Sequence, residues 1–326
     1  MARWKALLSI AAIAVASLTG AARAQDAKSY PVKPVRFIVP FAPGGGVDIV
    51  ARTVAQKLGD ILGQQVIVDN RGGGGTIIGT ELGARAAPDG YTLLFGSTTL
   101  AINPSLRKKL PYDTLKDLTP VTQAAFQPYV LAVHPGVPAK NVKEFVALAK
   151  AKPGSLTYGS PGLGSGSHLV AEFFALSTGT RTVHVPYKGS SLAMADLIGG
   201  QIQFTYGTIL AVAPHVRSGK LRALAVSSAK RSAGLPEVPT IAEAGIPRFD
   251  ATSWNGVFVP AGTPRPIIDK IHDGVVRALQ SPEARERLTN DGAEPVGSTP
   301  EQFAAFVRAE MAKWGKVIKA AGLKVE

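Results

Sequence analysis

The chain has 326 residues, no cysteine, five histidines and a net charge of +13 at pH 7. This length allows about two domains of ordinary size, and the missing cysteines exclude disulfides and thiolate metal sites. The lysines and arginines are scattered along the chain and are not interleaved with aromatic residues. We therefore interpret the charge as solvated surface and expect no nucleic-acid partner.

The first 24 residues have the pattern of a secretory signal. Arg3 and Lys5 precede an uncharged apolar run over 6–20, and Ala22-Arg23-Ala24 follows with the small residues of a cleavage site. The apolar run is shorter than the ~20 residues that span a bilayer. We therefore expect residues 1–24 to be a cleaved signal peptide and the remaining protein to be exported.

Strands, glycine-rich turns and helices alternate along most of the chain, as the apolar patterns of period 2 and period 3.6 indicate. In chain order the predicted elements are a strand at 35–39, a helix at 47–62, a strand at 65–69, a helix at 76–86, strands at 91–95 and 129–133, a helix at 142–151, a strand at 156–159, a helix at 167–177, a strand at 182–186, a helix at 191–198, a strand at 202–206, a helix at 209–217, strands at 221–227 and 254–259, and helices at 266–279, 282–290 and 300–321. The alternation predicts an α/β protein with parallel sheets covered by helices on both faces. The three final helices predict that the chain returns to pack on a domain already formed.

The sequence lacks the common signatures of enzymes. It contains no G-x-S-x-G, no G-x-x-x-x-G-K-[ST], no G-x-G-x-x-G and no H-E-x-x-H. We therefore expect no catalytic residue, no metal and no cofactor. Ser165 and His168 lie three residues apart in one predicted turn. An exported hydrolase that uses this pair remains the alternative, although no acidic third residue is evident.

Four turns rich in glycine and serine separate a predicted strand from the helix that follows it. They lie at 41–46, 96–98, 160–167 and 188–191. In an open parallel sheet such turns meet at the carboxyl edge of the strands, where ligands bind. Glycine lets the backbone approach a ligand closely, and each helix start offers unpaired N–H groups and a partial positive charge. The turns therefore predict a seat for a carboxylate or another small oxyanion.

Four side chains beside these turns are further candidates. Lys188 is the one cation on the predicted rim and could pair with a ligand carboxylate or be solvated surface. His168 could border the site or be an ordinary core or surface histidine. Tyr187 and Tyr206 could line the pocket or belong to the core.

Several collinear stretches, which together extend over nearly the whole chain after residue 24, match one known pattern. They are Tyr30 to Arg36, Val39 to Gly45 with Asp48, Asn70-Arg71 with Gly79, Ala87 to Leu93, Gly164-Ser165 with His168-Leu169, Val185 to Gly189, Gly219 to Val226, Val238 to Thr240, and Pro260 to Pro264. With these motifs the sequence resembles the Bug family, the extracytoplasmic solute receptors of tripartite tricarboxylate transporters.

The resemblance implies a periplasmic-binding-protein fold of type II, with two Rossmann-like lobes joined by two crossover segments. Lobe one would comprise 27–124 plus 252–326, and lobe two would comprise 125–251. It further implies a monomeric periplasmic receptor, not an enzyme, that carries a small organic acid to one large and one small integral membrane subunit. An orphan receptor with a signalling role is the second alternative.

Members of the family hold one ligand carboxylate through backbone groups and ordered water in the loop that here is Phe41 to Gly45. They often carry Asp where this chain has Gly207, and Pro where it has Leu192. Without that Asp we expect a ligand whose distal part is uncharged or aromatic, and not an amino acid. The predicted ligand-binding residues are Phe41, Ala42, Pro43, Gly44, Gly45, Ser97, Thr98, Ser160, Gly164, Ser165, His168, Tyr187, Lys188, Gly189, Tyr206 and Gly207.

Overall fold

The computed structural model describes residues 29–323, which form an α/β protein with ten strands in one curled sheet. The strands are β1 (Val35–Val39), β2 (Val66–Asn70), β3 (Thr92–Ser97), β4 (Leu118–Val133), β5 (Thr157–Ser160), β6 (Val183–Pro186), β7 (Phe204–Thr208), β8 (Arg222–Val226), β9 (Thr252–Pro260) and β10 (Glu294–Pro295). The α-helices are α1 (Gly46–Leu62), α2 (Ile77–Ala84), α3 (Thr99–Leu106), α4 (Val142–Ala151), α5 (Gly166–Thr178), α6 (Ser190–Ile198), α7 (Ile209–Arg217), α8 (Arg265–Gln280), α9 (Pro282–Thr289) and α10 (Pro300–Ala321). The expected signal peptide, residues 1–24, lies outside the described residues. Within 29–323, no helix combines the length and apolar character that a membrane span requires.

Strand β4 joins the two halves of the sheet. Its first part, up to Pro128, pairs with β9, which continues through β3 and β1 to β2. Its last part, from Tyr129, pairs with β7 and β8, and β7 continues through β5 to β6. The halves are the two lobes of the protein, and the pairing partners of β4 change between Pro128 and Tyr129. The residue limits expected for the lobes from the sequence stay a prediction.

The expectation of parallel sheets is correct for β1 to β3 and for β5 to β7. It is wrong for β8, for β10 and for the two strands that cross between the lobes, β4 and β9. β1 pairs in parallel with β2 and β3, and β5 pairs in parallel with β6 and β7. β4 and β9 are antiparallel to each other, because one carries the chain out of lobe one and the other carries it back. Antiparallel crossing strands are thus the feature that a simple alternation of strands and helices does not reveal.

Three regular elements have no counterpart in the sequence prediction. They are α3, the first part of β4, before residue 129, and the short strand β10. Pro104 lies inside α3, and Pro120 and Pro128 lie inside β4. Proline disfavours both a helix interior and a strand in the middle of a sheet, so tertiary pairing overrides the local preference here.

Helix α1 illustrates how the sequence places a helix start at the edge of the sheet. Val50, Val54 and Leu58 recur every four residues and are fully buried, which holds one face of the helix on the core of lobe one. Burial of each such side chain contributes about 2 kcal/mol before conformational entropy is counted. Gly63 ends the helix in the left-handed conformation, with φ of 68°. The opposite end, at Gly46, is thereby fixed next to the carboxyl end of β1.

Candidate functional site

Five helices begin at the carboxyl ends of the strands that precede them. Helix α1 begins at Gly46, α3 at Thr99, α5 at Gly166, α6 at Ser190 and α7 at Ile209. Residues from the first turn or the N-cap of all five line one cavity between the lobes. Unpaired backbone N–H groups and the positive ends of several helix dipoles therefore lie at this cavity.

This cavity, here called the interlobe cleft, has a volume of about 20 Å³, room for about one water molecule. It is lined by Phe41, Gly46, Val47, Ser97, Thr98, Thr99, Tyr129, Pro161, Ser165, Gly166, Ser167, Ser190, Thr208 and Ser253. None of these residues is charged, and nine of the fourteen carry a hydroxyl group. The cleft thus offers neutral hydrogen-bonding groups and no side-chain counterion.

Two larger hollows lie on the outer surface. One of about 540 Å³ lies between the end of α1 and the start of β2, and one of about 590 Å³ lies beside Arg107 and Tyr112. A hollow of about 230 Å³ lies between Gly44 of lobe one and helices α6 and α7 of lobe two. None of these three brings helix starts from both lobes together. The interlobe cleft is therefore the better candidate for an anion site, in spite of its small volume in this closed structure.

Lobe one contributes hydroxyl groups that are bonded within the protein. Ser97 Oγ and Thr99 Oγ1 lie 2.9 Å apart, and Thr98 Oγ1 accepts a hydrogen bond of 3.1 Å from the backbone N of Trp254. These bonds fix the start of α3 beneath the cleft. Burial raises the pKa of Tyr129, on the crossing strand, to about 12, so its hydroxyl stays protonated.

Asp48 holds the loop from Phe41 to Gly45. Its Oδ2 accepts hydrogen bonds of 2.9 Å from the backbone N of Gly44 and from Arg52 Nε, and its Oδ1 accepts one of 2.8 Å from Asn70 Nδ2. Both oxygens of the Asp48 carboxylate are therefore engaged by residues of lobe one, and the carboxylate does not serve as a ligand-binding group. It shapes the loop without adding an unpaired negative charge beside the cleft.

Ser165 and His168 do not form a nucleophile and base pair. Ser165 Oγ accepts from the backbone N of His168 at 3.3 Å, which is an N-cap bond of α5. The ring of His168 accepts at Nδ1 from the backbone N of Gly164 at 3.2 Å, and its Nε2 lies 3.9 Å from Glu172 Oε1. Both residues shape the turn, and this arrangement does not favour the hydrolase alternative.

The lobes meet along the glycine-rich turns. Ser191 Oγ of lobe two donates a hydrogen bond of 2.9 Å to the carbonyl oxygen of Pro43 in lobe one. A Cβ built on Gly189 would overlap the Cβ of Ala42. The structure is therefore a closed form in which the backbones of the two lobes touch.

The predicted ligand residues divide into three groups. Those that line the interlobe cleft are Phe41, Ser97, Thr98 and Ser165. Those at the contact between the lobes are Ala42, Pro43, Gly44, Gly45, Gly164, Lys188 and Gly189, Lys188 through its backbone carbonyl beside Gly72. Those outside both are Ser160, His168, Tyr187, Tyr206 and Gly207.

The third group makes contacts inside lobe two. Tyr187 donates a hydrogen bond of 2.6 Å to Asp196 Oδ2. The side chain of Lys188, in the second group, is exposed. Tyr206 is fully buried, with its ring 5.7 Å from that of Phe174 in α5. Tyr206 lies two residues before the end of β7, where α5 covers the strand. Its side chain therefore belongs to the core. Gly207 lies on the opposite face of the sheet, towards α6 and α7.

Sequence reasoning missed ten residues of the lining: Gly46, Val47, Thr99, Tyr129, Pro161, Gly166, Ser167, Ser190, Thr208 and Ser253. Several of them lie in the glycine-rich turns that were predicted to form the anion site. They were not among the residues of those turns that were predicted to bind ligand. Thr208 precedes a predicted helix and could have been found as its N-cap. Tyr129 and Ser253 lie on the crossing strands, where no local pattern marks the floor of a cleft.

The chain matches one protein family over most of its length. A model described as the tripartite tricarboxylate transporter family receptor matches residues 50–323. Protein BugT of Bordetella pertussis is 41% identical over 322 residues, which cover 98% of each chain. The structure of periplasmic binding protein BugD is 34% identical with a TM-score of 0.89, over 91% of this chain and 100% of that one. The structure of R. palustris Rpa4515 with adipate is 37% identical with a TM-score of 0.88, over 90% and 99%.

These matches agree with the motifs found in the sequence and with the two-lobe fold. The relatives extend over nearly the whole chain. The family is described as a receptor family, and the BugD structure is described as a periplasmic binding protein. The resemblance inferred from the sequence is confirmed: the chain belongs to the family of tripartite tricarboxylate transporter receptors.

Proposed function

We propose that this chain is a periplasmic solute receptor that captures a small organic acid in the interlobe cleft. The observation that carries the proposal is the meeting of five helix starts from both lobes around a cleft without charged side chains. Amides at helix starts stabilise a carboxylate because their N–H groups point at it and the helix dipoles favour negative charge. A relative that is 37% identical was solved with adipate, which supports this class of solute.

Capture proceeds by closure of the lobes. The solute enters an open cleft, places its carboxylate on lobe one, and lobe two then closes by hinge motion at 124–127 and 249–253. Closure brings together contacts such as that of Ser191 with Pro43. A membrane partner that recognises these apposed surfaces distinguishes the loaded receptor from the open one.

The setting proposed for this cycle is the periplasm. Residues 1–24 direct export and are removed, and the monomeric receptor delivers its solute to one large and one small integral membrane subunit. N-terminal sequencing of the protein recovered from a periplasmic extract tests the first part of this proposal. A mature chain that begins at Gln25 supports it, and a chain that retains residues 1–24 in the membrane fraction contradicts it.

The solute is expected to be an acid without an amino group. The cleft lining offers no carboxylate that could pair with an ammonium group, and an unpaired buried charge is unfavourable by several kcal/mol. Because the relative solved with adipate binds a dicarboxylate, we extend the expected solutes from acids with an uncharged or aromatic distal part to dicarboxylates. We expect glutarate or adipate to bind, and glutamate, which is glutarate with one added amino group, to bind about tenfold more weakly or worse. Isothermal titration calorimetry with the three solutes measures the difference.

The two possible failures of this titration are distinct. Tighter binding of glutamate than of glutarate would contradict the solute class while leaving a receptor. Absence of binding by every organic acid in a thermal-shift panel of mono-, di- and tricarboxylates would contradict the receptor proposal itself.

A further inference from the structure

Thr208 brings an unpartnered hydroxyl group to the interlobe cleft from lobe two. It is the last residue of β7 and the N-cap of α7, and its side chain lines the cleft. The residue is only 8% exposed, and Thr208 Oγ1 is buried without a hydrogen-bond partner in the described part of the chain. A buried hydroxyl without a partner is unfavourable by about 1–3 kcal/mol, so its position calls for a physical reason.

Capping of its own helix is not that reason. An N-cap threonine ordinarily accepts a hydrogen bond from a backbone N–H of the first helical turn, but Thr208 makes no such bond. The backbone N of Leu210 in that turn is directed instead to Gln127 Oε1, at 3.4 Å. The hydroxyl of Thr208 therefore remains available to a group in the cleft.

The hydroxyl lies against the start of α1 in the opposite lobe. A Cβ built on Gly46 would overlap Thr208 Oγ1, so glycine at this position admits the threonine. The first intrahelical hydrogen bond of α1 runs from the N of Ile49 to the O of Gly45, at 3.0 Å. The N–H groups before Ile49 have no partner within the helix. The hydroxyl of lobe two thus lies beside the helix start of lobe one that carries these N–H donors.

We infer that Thr208 Oγ1 donates a hydrogen bond to the solute carboxylate held at the start of α1, so that lobe two closes directly on the anion. The inference rests on the proposed function and assigns one residue of lobe two a share in the anion seat. It also explains how charge on the solute is coupled to closure. A carboxylate oxygen accepts donors from both lobes at once and stabilises their apposition.

The test compares three variants with glutarate or adipate as the probe, whichever binds the wild type more tightly. Thr208→Val keeps the shape and removes the hydroxyl, Thr208→Ser keeps the hydroxyl, and Thr205→Val is the matched control. Thr205 lies on the same strand, where its Oγ1 donates a hydrogen bond of 2.8 Å to the carbonyl oxygen of Gly159. Affinity is measured by calorimetry, and the melting temperature is measured without solute.

We expect opposite signatures from the two valine variants. Thr208→Val should lose about tenfold or more in affinity, as for a hydrogen bond to a charged group, while the solute-free melting temperature stays equal or rises. Thr208→Ser should retain most of the affinity. Thr205→Val should lower the melting temperature and leave the affinity unchanged.

Two results would overturn the inference while the proposed function stands. One is wild-type affinity in Thr208→Val, and the other is a lowered solute-free melting temperature in that variant, which would make the hydroxyl a structural group. If the wild type binds no organic acid at all, the proposed function fails and the inference fails with it.

Discussion

Replacement of Gly189 with alanine is expected to weaken binding of glutarate or adipate about 10- to 100-fold. The new Cβ would overlap the Cβ of Ala42 across the closed lobes, and overpacking of this kind costs about 1–3 kcal/mol. The backbone of Gly189 is extended, with φ of 169°, so alanine fits there without strain. The solute-free protein can keep its lobes apart and should unfold at the wild-type temperature. Calorimetry and thermal unfolding measure the two quantities.

The matched control moves the methyl group from one lobe to the other. In the double variant Gly189→Ala with Ala42→Gly, the nearest remaining atoms are the Cα and N of residue 42, each 3.4 Å from the new Cβ. That distance is an ordinary van der Waals contact, so the double variant should recover most of the affinity. Ala42→Gly alone should bind like the wild type. Wild-type binding by Gly189→Ala, or no recovery in the double variant, would mean that solute capture does not bring the two residues together.

The glycine-rich turns indicate how far local sequence reasoning reaches at this site. Strand, turn and helix patterns located the turns correctly, because each turn depends on a few neighbouring residues. The purpose expected for glycine was close approach of the backbone to a ligand. Gly46 and Gly189 instead permit close approach of one lobe to the other. Which turns face each other across the cleft depends on the pairing of β4 with β9, a long-range feature that local patterns do not contain.

The tyrosine and threonine at the end of β7 illustrate a second limit. Tyr206 and Thr208 are two residues apart and lie on the same face of the strand, but only Thr208 reaches the cleft. Alternation along a strand predicts the face on which a side chain lies, and it does not predict where the covering helix ends. Here α5 covers Tyr206, but its first turn does not extend over Thr208. Tyr206, which was predicted to bind ligand, therefore belongs to the core, and Thr208 lines the site.

Two stacked histidines behind the lobe-two turn are expected to make the protein less stable in mild acid. The rings of His168 and His184 stack with centroids 4.2 Å apart, and Tyr158 stacks on His184 at 4.8 Å. Burial, with a smaller contribution from His168, lowers the pKa of His184 to about 3. Burial also lowers the pKa of His168, against the opposing effect of Glu172.

Both histidine rings are neutral when they bind the turn at 160–167. The backbone N of Gly164 donates to His168 Nδ1 at 3.2 Å, a bond that a proton on Nδ1 would remove. Ser160 Oγ lies 2.6 Å from His184 Nε2. Because Ser165 of the same turn lines the cleft, loss of the bond from Gly164 to His168 Nδ1 should loosen one wall of the solute site.

The direction of the pH effect follows from the lowered pKa values. An unfolded histidine has a pKa of about 6.5, so the unfolded state binds protons first as the pH falls. Stability is therefore complete above about pH 6.5 and decreases as the pH falls towards the folded pKa of His184, about 3. For His184 alone this amounts to about 2 kcal/mol at pH 5, which lowers the melting temperature by a few degrees.

Thermal unfolding between about pH 7.5 and pH 5 distinguishes this pair from the other titrating groups. His184→Phe keeps an aromatic ring in the stack and removes the titrating group, so its melting temperature should fall less steeply than that of the wild type. If His184→Phe and the wild type lose stability in parallel, protonation of His184 does not contribute to the acid sensitivity, and the loss must come from groups outside the stacked pair.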